Sequence, residues 1–509
     1  MNLTDEQTGV VDAMQQSAAC IKVEAGAGTG KTSTIVAGAR GVPNKRGLLT
    51  VFNKLMAEET KPRLADTRCD VSTLHSVAYR SDVARPFRSR VTMRLPARTA
   101  AQAAGIRGPQ VIAGVKLTLN ACGYLLLDWV ARFCQSPNTE LGAKHFPRST
   151  LLDWLTRDDT KRAEQDPAWT KHLVSAVATD LLPNVAILWK RLSDPSEREF
   201  PSTHDVYLKL YVMSEPRIAA DYVMLDEAQD ANPIMLQFMR LAARQGAQTV
   251  YVGDSRQQMY SWRGAVDAMG QIDADATLRL TRSFRFGPAV ADAANAVLGG
   301  LLRSDFRIVG GGGPSSIAGG LSNPTAIICR SNAETLAQAL ELHDAGVRCG
   351  LCMEPAAIRR EIESLEWFHD KGFSGDRRYC HFQNYYELEE AIEAGQMPDL
   401  KVLKDVIDEY GFDGARAVLM PLAVGKSAKA IRDAGVETML LTAHAAKGLE
   451  FERVLLGGDF KSVAPEGQDL KVEEANILYV SVTRAQSVLC LGSSEAAGEI
   501  RAAMGVMTA

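Results

Sequence analysis

Short apolar runs alternate along this chain with stretches in helical period. ACIKVEA (19–25) predicts a buried strand, followed by a Gly-rich turn and a helix over 31–40. GLLTVF (47–52) predicts a second strand leading into the helical pattern NKLMAEETKPRLA, and VSTLHSVAYR (71–80) a strand end followed by a helix. Strands alternating with helices predict a parallel α/β sheet. From about 81 to 200 the pattern changes. TAAQAAGI, LLLDWVARFC, STLLDWLTR and LVSAVATDLLPNVAILWKRL are helical in period, and β-branched runs are absent, which predicts a helical insertion. The α/β pattern returns at ADYVMLDEAQD (220–230) and QTVYVGD (248–254). A Gly-rich break, GGLLRSDFRIVGGGGPSS (299–316), reads as a linker or loop. NPTAIICR (323–330) opens a second α/β set, which resumes with ETMLLTAH (437–444), ERVLLGGDF (452–460) and ILYVSVTRAQSVLCLG (477–492) after a mixed, aromatic-bearing segment at about 345–425. No fixed-period repeat is visible. The expectation is two α/β domains, each interrupted by an inserted subdomain.

Composition changes this picture little. A length of 509 residues is too long for one core and fits three or four domains or subdomains. The N-terminus MNLTDEQTGVVDAMQQ is acidic and polar, unlike a secretory signal, and no apolar run approaches the roughly 20 residues of a membrane span. A formal net charge of −4 gives no global sign of nucleic-acid binding, so any basic site must be local. Nine scattered cysteines do not form a disulfide framework and fit a reduced, cytoplasmic setting. Cys349 and Cys352 have C-x-x-C spacing, with Cys380 and His381 further on. These residues read as free thiols or as a zinc site, and no second C-x-x-C pair completes a set.

The chemistry begins at A-G-A-G-T-G-K-T, spanning Ala25, Gly26, Ala27, Gly28, Thr29, Gly30, Lys31 and Thr32. It follows a strand and opens a helix, the setting of a phosphate-binding P-loop. Backbone N–H groups of the turn, and of Ser33 beyond it, face phosphate oxygens. Lys31 reaches the β/γ-phosphates and the Thr32 hydroxyl ligates Mg²⁺. Ala25 stands where the pattern has Gly, and a small residue satisfies the turn. V-M-L-D-E-A-Q-D (223–230) is an apolar strand ending in carboxylates. Asp226 is placed to hold Mg²⁺, and Glu227 to orient or deprotonate water. P-loop and acidic strand tip together imply nucleoside triphosphate hydrolysis with Mg²⁺.

D-E-A-Q-D and G-D-S-R-Q-Q-M-Y-S-W-R-G-A (253–265) resemble the superfamily 1 DNA helicases of the UvrD/Rep/PcrA type. Further blocks follow the family's order. L-T-D-E-Q (3–7) resembles the Q motif, V-F-N-K (51–54) and T-L-H-S (73–76) motifs Ia and Ib, and L-T-R-S-F-R (280–285) motif IV. I-C-R-S-N (328–332) resembles the segment after motif IV, T-A-H-A-A-K-G-L-E-F (442–451) motif V, and L-Y-V-S-V-T-R-A (478–485) motif VI. T-H-D-V-Y-L-K-L (203–210) and S-F-R-F-G lean toward the F-box DNA helicase branch. These blocks cover roughly half the chain, and neither insertion matches a motif.

The resemblance implies two RecA-like P-loop NTPase domains: 1–80 and 201–285 for the first, split by a helical insertion at 81–200, and 286–345 and 426–509 for the second, split by a reduced insertion at 346–425. It implies that the nucleotide is ATP, that Gln7 reads adenine and Phe284 stacks on it, that Gln229 and Gln257 sense the γ-phosphate, and that Glu450 lies near the sugar and phosphate. Arg285 and Arg484 would stabilise transition-state charge from the second domain. For DNA it implies stacking on Trp262 and contacts from Asn53, His75, Arg263, Thr442 and His444. Phe52 is offset by one position from the family's stacking Phe. The cluster Arg80, Arg85, Arg88, Arg90, Arg94, Arg98 and Arg107 reads either as a phosphate track or as a solvated face. The expected activity is translocation on single-stranded DNA, 3′→5′ by family, at junctions with duplex, by a monomer acting with replication or recombination proteins. The alternative is a translocase that strips proteins from DNA with little unwinding. The chain opens at the Q-motif segment and runs 25 residues past Arg484, so neither an F-box extension nor a fused nuclease is expected.

Overall fold

The computed structural model describes residues 3–16, 19–259, 268–372, 374, 376, 378–379, 382, 384–395, 397–426, 428–465 and 469–505. Its first sheet has six parallel strands in the order Ala276–Leu280, Cys20–Ala25, Gln248–Gly253, Tyr222–Leu225, Gly47–Thr50 and Cys69–Ser72. Gly47–Thr50, Tyr222–Leu225 and Gln248–Gly253 are buried at every position because both faces of the sheet are covered, whereas Cys20–Ala25 alternates, with Lys22 and Glu24 half-buried. Ile21, Val23, Leu49, Met224 and Val252 pack with Val10, Met14 and Ile35 of the helices Asp5–Gln15 and Lys31–Gly41. Val223, Leu225 and Tyr251 face the other way, into a core shared with the first insertion.

That insertion rests on the helices Ala97–Ala103, Leu119–Gln135 and Pro167–Ser193, as the helical period predicts. The 27-residue Pro167–Ser193 helix is long and apolar enough to cross a membrane by length and composition. Its Thr170, Leu173, Val177, Leu181, Val185, Leu188 and Leu192 recur every three or four residues and are buried, forming the inner stripe of a core helix. Short strands depart from the expected helical texture, and Val91–Thr92 pairs in parallel with Ser202–Thr203. Gln110–Ile112 and Val115–Leu117 pair as an antiparallel hairpin. Ala113 and Gly114 turn it with φ of 51° and 82°, the two positive values that a two-residue hairpin turn requires. The strands are too short for a β-branched run to reveal them.

The second sheet is also six-stranded and parallel, in the order Ser316–Ala318, Ala485–Cys490, Phe451–Leu456, Ala326–Cys329, Thr438–Thr442 and Cys349–Leu351. Ala326, Ile328, Leu441 and Leu456 face one core, while Ile327, Leu440 and Leu351 face another with helices of the second insertion, Pro355–Lys371, Tyr385–Glu393 and Pro398–Leu419. The expected boundary at 345/346 therefore falls too early. Cys349–Leu351 is an edge strand of the sheet, and the insertion starts after it. Cys349 and Cys352 are both buried, and burial raises both thiols, Cys352 to about 11. No cluster of three metal-ligating side chains occurs among the described residues; Cys380 and His381 lie outside them.

The Gly-rich segment 299–316 is a second departure. It is a packed connector, in which Phe306 and Ile308 are 0% and 2% exposed. Val309–Gly310 pairs with Arg282–Ser283. Gly311 and Gly312 donate N–H to Ser283 O and Phe286 O at 2.8 and 3.0 Å. The glycines let backbone lie on backbone: a Cβ on Gly312 would stand 2.8 Å from Phe286 N.

Candidate active site

Ala25 ends the strand between Gln248–Gly253 and Ala276–Leu280, and the chain turns through Gly26–Gly30 into the Lys31–Gly41 helix. Gly28 and Gly30 have φ of 73° and 81°, a region that favours glycine. A Cβ on Gly28 would also stand 2.6 Å from Ser283 Oγ and Arg285 Cβ. Thr29 Oγ1 donates to Gly26 O at 2.9 Å and closes the turn. No side chain caps the helix at Gly30, so its first amides and its dipole face the turn, an anion site by construction. Gln7 Oε1 accepts the Thr4 N–H at 3.1 Å in a capping box. Gln7 Nε2 and the Phe284 ring both border Gly30, at 3.0 and 3.6 Å from a Cβ built there. Phe284 is 48% exposed, so a flat ring can cover it. The Ser33 hydroxyl accepts a bond from Arg63 Nη2 at 3.0 Å, so its own O–H and its backbone N–H are what it can offer a phosphate.

Asp226 and Glu227 follow the strand Tyr222–Leu225. Lys31 Nζ lies 3.8 Å from Glu227 Oε1, so P-loop and acidic tip already meet. Asp226 Oδ1 accepts the Glu227 N–H at 2.9 Å. Burial, and then the Glu227 charge, push the Asp226 carboxyl above its usual range. Burial acts on Glu227 too, but Lys31, Lys447, Gln229 and Arg484 together hold it below its ordinary value. Glu227 is therefore the ionised member of the pair. Its φ of 51° is unusual for a non-glycine residue and aims its carboxylate at Lys31.

Gln229 also has a structural role. Nε2 donates to Glu227 Oε2 at 2.6 Å and Oε1 accepts the Asp254 N–H at 3.0 Å, tying the acidic tip to the next strand, with a second N–H left on Nε2. Gly253 must be glycine for this, since a Cβ there would lie 2.6 Å from Gln229 Oε1. Gln257 Nε2 donates to Asp254 Oδ2 at 2.8 Å.

The second domain supplies the other wall. Arg285 pairs with Glu450 at 2.7 Å and donates to Thr483 O at 2.9 Å, while its Nε is buried with no partner among the described residues. An orphaned guanidinium donor costs about 1–3 kcal/mol and fits an anion. The Glu450 carboxyl, raised by burial, is lowered more by Arg285 and Gln486, and stays ionised. Arg484 is 1% exposed and bonds Val480 O, Leu449 O and Thr483 Oγ1 at 2.9, 3.2 and 3.1 Å. Burial, then the charge of Arg285, lower it to about 9, so it is still a cation at neutral pH. Its donors are thus parked on its own domain, while its charge is felt at Glu227. Three residues given no role from sequence, Lys447 and Tyr479 inside the quoted blocks and Asn476 just before one, bind the domains together. Lys447 Nζ bridges Asp230 Oδ2 and Gln257 O at 2.5 and 2.9 Å, and Asn476 Nδ2 donates to Gln258 O at 3.1 Å. Tyr479 OH donates to Asp254 Oδ2 at 3.2 Å. Only their neighbourhood to motif residues could have marked them.

Of the expected DNA residues, Trp262 and Arg263 lie outside the described residues. Phe52 is 42% exposed after the strand Gly47–Thr50. Asn53 caps the next helix by accepting the Met56 N–H at 2.9 Å. His75 Nε2 bonds Asp205 Oδ1 at 2.9 Å beside the rings of His204 and Tyr207. Thr442 caps the Ala443–Ala446 helix. Burial, then Arg330, lower the pKa of His444, which hydrogen-bonds the Met259 backbone. These residues all follow strand C-termini, on the side that carries the P-loop. The arginine cluster divides. Arg90 is 6% exposed and donates to the carbonyls of Phe200, Leu192 and Asp194, so it is a structural tie. Arg80 and Arg85 pair with Asp70 and Asp82, and Arg88 lies over Tyr79.

Comparison with known proteins agrees with this geometry. Residues 202–274 match the UvrD/REP helicase N-terminal domain and residues 404–496 the UvrD-like helicase C-terminal domain. The chain is 27% identical to F-box DNA helicase 1 of Gallus gallus, over 97% of this chain and 49% of that protein. It is 27% identical to F-box DNA helicase protein 1 of Schizosaccharomyces pombe, over 99% and 60%. To DNA helicase II of Escherichia coli it is 24% identical, over 57% and 58%. The chain thus spans about half to three-fifths of the length of these curated relatives.

Proposed function

We infer that this chain, which carries the N- and C-terminal domains of UvrD-like helicases, is an ATP hydrolase that moves along single-stranded DNA and unwinds duplex DNA. One observation carries the reading. The P-loop and the Asp226–Glu227 tip of one domain share a cleft with Arg285 and Arg484 of the other.

ATP binds with its phosphates on the amides of Gly28 to Thr32, its γ-phosphate beside Lys31, and its base between Gln7 and Phe284. Thr32 and Asp226 offer a hydroxyl and a carboxylate, hard oxygens that suit Mg²⁺ completed by phosphate and water. Mg²⁺, when bound, neutralises charge developing on the phosphates. Glu227, held ionised, orients and deprotonates the attacking water. Arg285 turns its orphaned Nε to phosphate, and Arg484 leaves its carbonyl ligands to reach the transition state. Closing and reopening the cleft moves the residues at the strand ends, Phe52, His75, Thr442 and His444, relative to one another. That displacement is what stepping along a strand needs.

The test is steady-state ATP hydrolysis with and without an oligo-dT strand, for the native chain and Lys31→Ala. At least tenfold stimulation by DNA, abolished in Lys31→Ala, is expected; equal rates with and without DNA would overturn the reading. The direction, 3′→5′, is tested with 3′- and 5′-tailed duplexes, and preferential unwinding from the 5′ tail would refute it. A monomer acting in the cytoplasm at single-strand/duplex junctions, with replication or recombination proteins, completes the proposal.

A further inference from the structure

One buried hydroxyl joins the two domains at the phosphate loop itself. Tyr479 is 0% exposed on the Val472–Val482 helix, between core residues of the second domain. Its oxygen lies 3.1 Å from Ala27 N and 3.2 Å from Asp254 Oδ2. The direction of both bonds is forced. The Ala27 amide can only donate, so the phenol accepts there and gives its one proton to the carboxylate. Burial, then the Asp254 charge, hold the phenol well above its ordinary pKa, so that proton stays in place.

Asp254 is itself fully buried. The same Oδ2 takes Gln257 Nε2 at 2.8 Å, and Oδ1 takes the Arg256 N–H at 3.2 Å. Its own N–H rests on Gln229, which holds Glu227, which faces Lys31. A closed circuit therefore runs from the P-loop, through the second domain's phenol and the acidic tip, back to the P-loop lysine. Every member except Tyr479 belongs to the first domain, and only its hydroxyl can leave when the domains part.

We propose that Tyr479 is a positioning residue: its hydroxyl carries domain closure to the P-loop, holding Ala27 in the geometry that receives the nucleotide phosphates. This rests on the reading of the cleft as the ATP site. Opening the cleft withdraws the oxygen, frees the Ala27 amide and slackens the loop, which is how product phosphate would be let go.

The test is Tyr479→Phe, which removes one atom and keeps the ring in the core. Equilibrium binding of a fluorescent ATP analogue without DNA is expected to weaken about tenfold, as loss of a buried hydrogen-bond partner implies. KM for ATP is expected to rise by a similar factor. At saturating ATP, kcat is expected to stay within about twofold, because bound nucleotide then closes the cleft. Nucleotide-free affinity for oligo-dT and the melting temperature are measured alongside and are expected to be native, which a mere packing defect would not leave. Native ATP affinity in the variant, or parallel losses of ATP affinity, DNA affinity and melting temperature, would overturn the assignment. If the native chain binds ATP but DNA does not stimulate hydrolysis, the motor reading fails, and the affinity ratio still judges Tyr479.

Discussion

Arg484 shows how much a single side chain can hold in reserve. It is bonded by all three nitrogens to its own domain, yet it lies close enough to act on Glu227. A lysine carries the charge without the planar fork. Arg484→Lys is therefore expected to lower kcat about 10³-fold while KM for ATP changes less than threefold, read from ATP titrations of the hydrolysis rate. A quieter case is Lys209, 0% exposed, which donates to Ser136 O and Asn138 O and lies over the Phe133 ring. Burial lowers its pKa to about 8. A depressed lysine adds stability above its unfolded value near 10.4, and loses it as pH falls through about 8. The stability difference between native and Lys209→Met proteins is therefore expected to grow in favour of the native chain from about pH 8 to 10, by urea unfolding. Sequence pattern found the charged members of the site because their chemistry is tied to motif position. It could not show that Gln229 ties Glu227 to Asp254, or that Asn53 caps a helix, because those roles depend on which atom a fold brings within 3 Å.

At the scale of elements, the strands and long helices were legible because their apolar periods are strong. The hairpin at 110–117 and the edge strand Cys349–Leu351 were not, since three residues carry no period. Contact between elements depends on small residues the pattern does not weigh. Gly123 sits where the helices Ala97–Ala103 and Leu119–Gln135 cross, and a Cβ there would collide with the Ala97 carbonyl. Gly123→Ala is expected to cost about 2 kcal/mol, seen as a fall in the urea midpoint with unchanged slope. Gly28→Ala meets both a positive φ and the Ser283–Arg285 contact. It is expected to abolish ATP-analogue binding and leave nucleotide-free oligo-dT binding intact.

For the molecule as a whole, the sequence predicts two domains with two insertions. The structure adds that each insertion shares a core with one face of its sheet. The domains meet through polar groups, Lys447 on Asp230, Asn476 on Gln258 and Tyr479 on Asp254, beside an apolar contact in which Ala27 and Met259 join the second domain's core. The polar contacts can break and reform as the domains move. Losing Lys447 leaves Asp230 buried and unpaired, a carboxyl that burial already raises to about 6. Lys447→Ala is expected to favour the open cleft, measured as a larger radius of gyration by X-ray scattering without nucleotide, with ATP restoring compactness.

The segment 299–316 has a mechanical consequence. The covalent tether between the two moving bodies is the crossing at 281–287, and this segment, already inside the second domain, clamps it along Ser283 and Phe286 with Phe306 and Ile308 set against Gly26. A tether so secured has little slack, so a displacement at the nucleotide is delivered as a stroke and not absorbed as backlash. Gly313, whose Cβ would meet nothing, is the place to loosen it. Inserting a few glycines there is expected to leave hydrolysis within about twofold while shortening the distance travelled per ATP, a change of gear ratio at constant fuel.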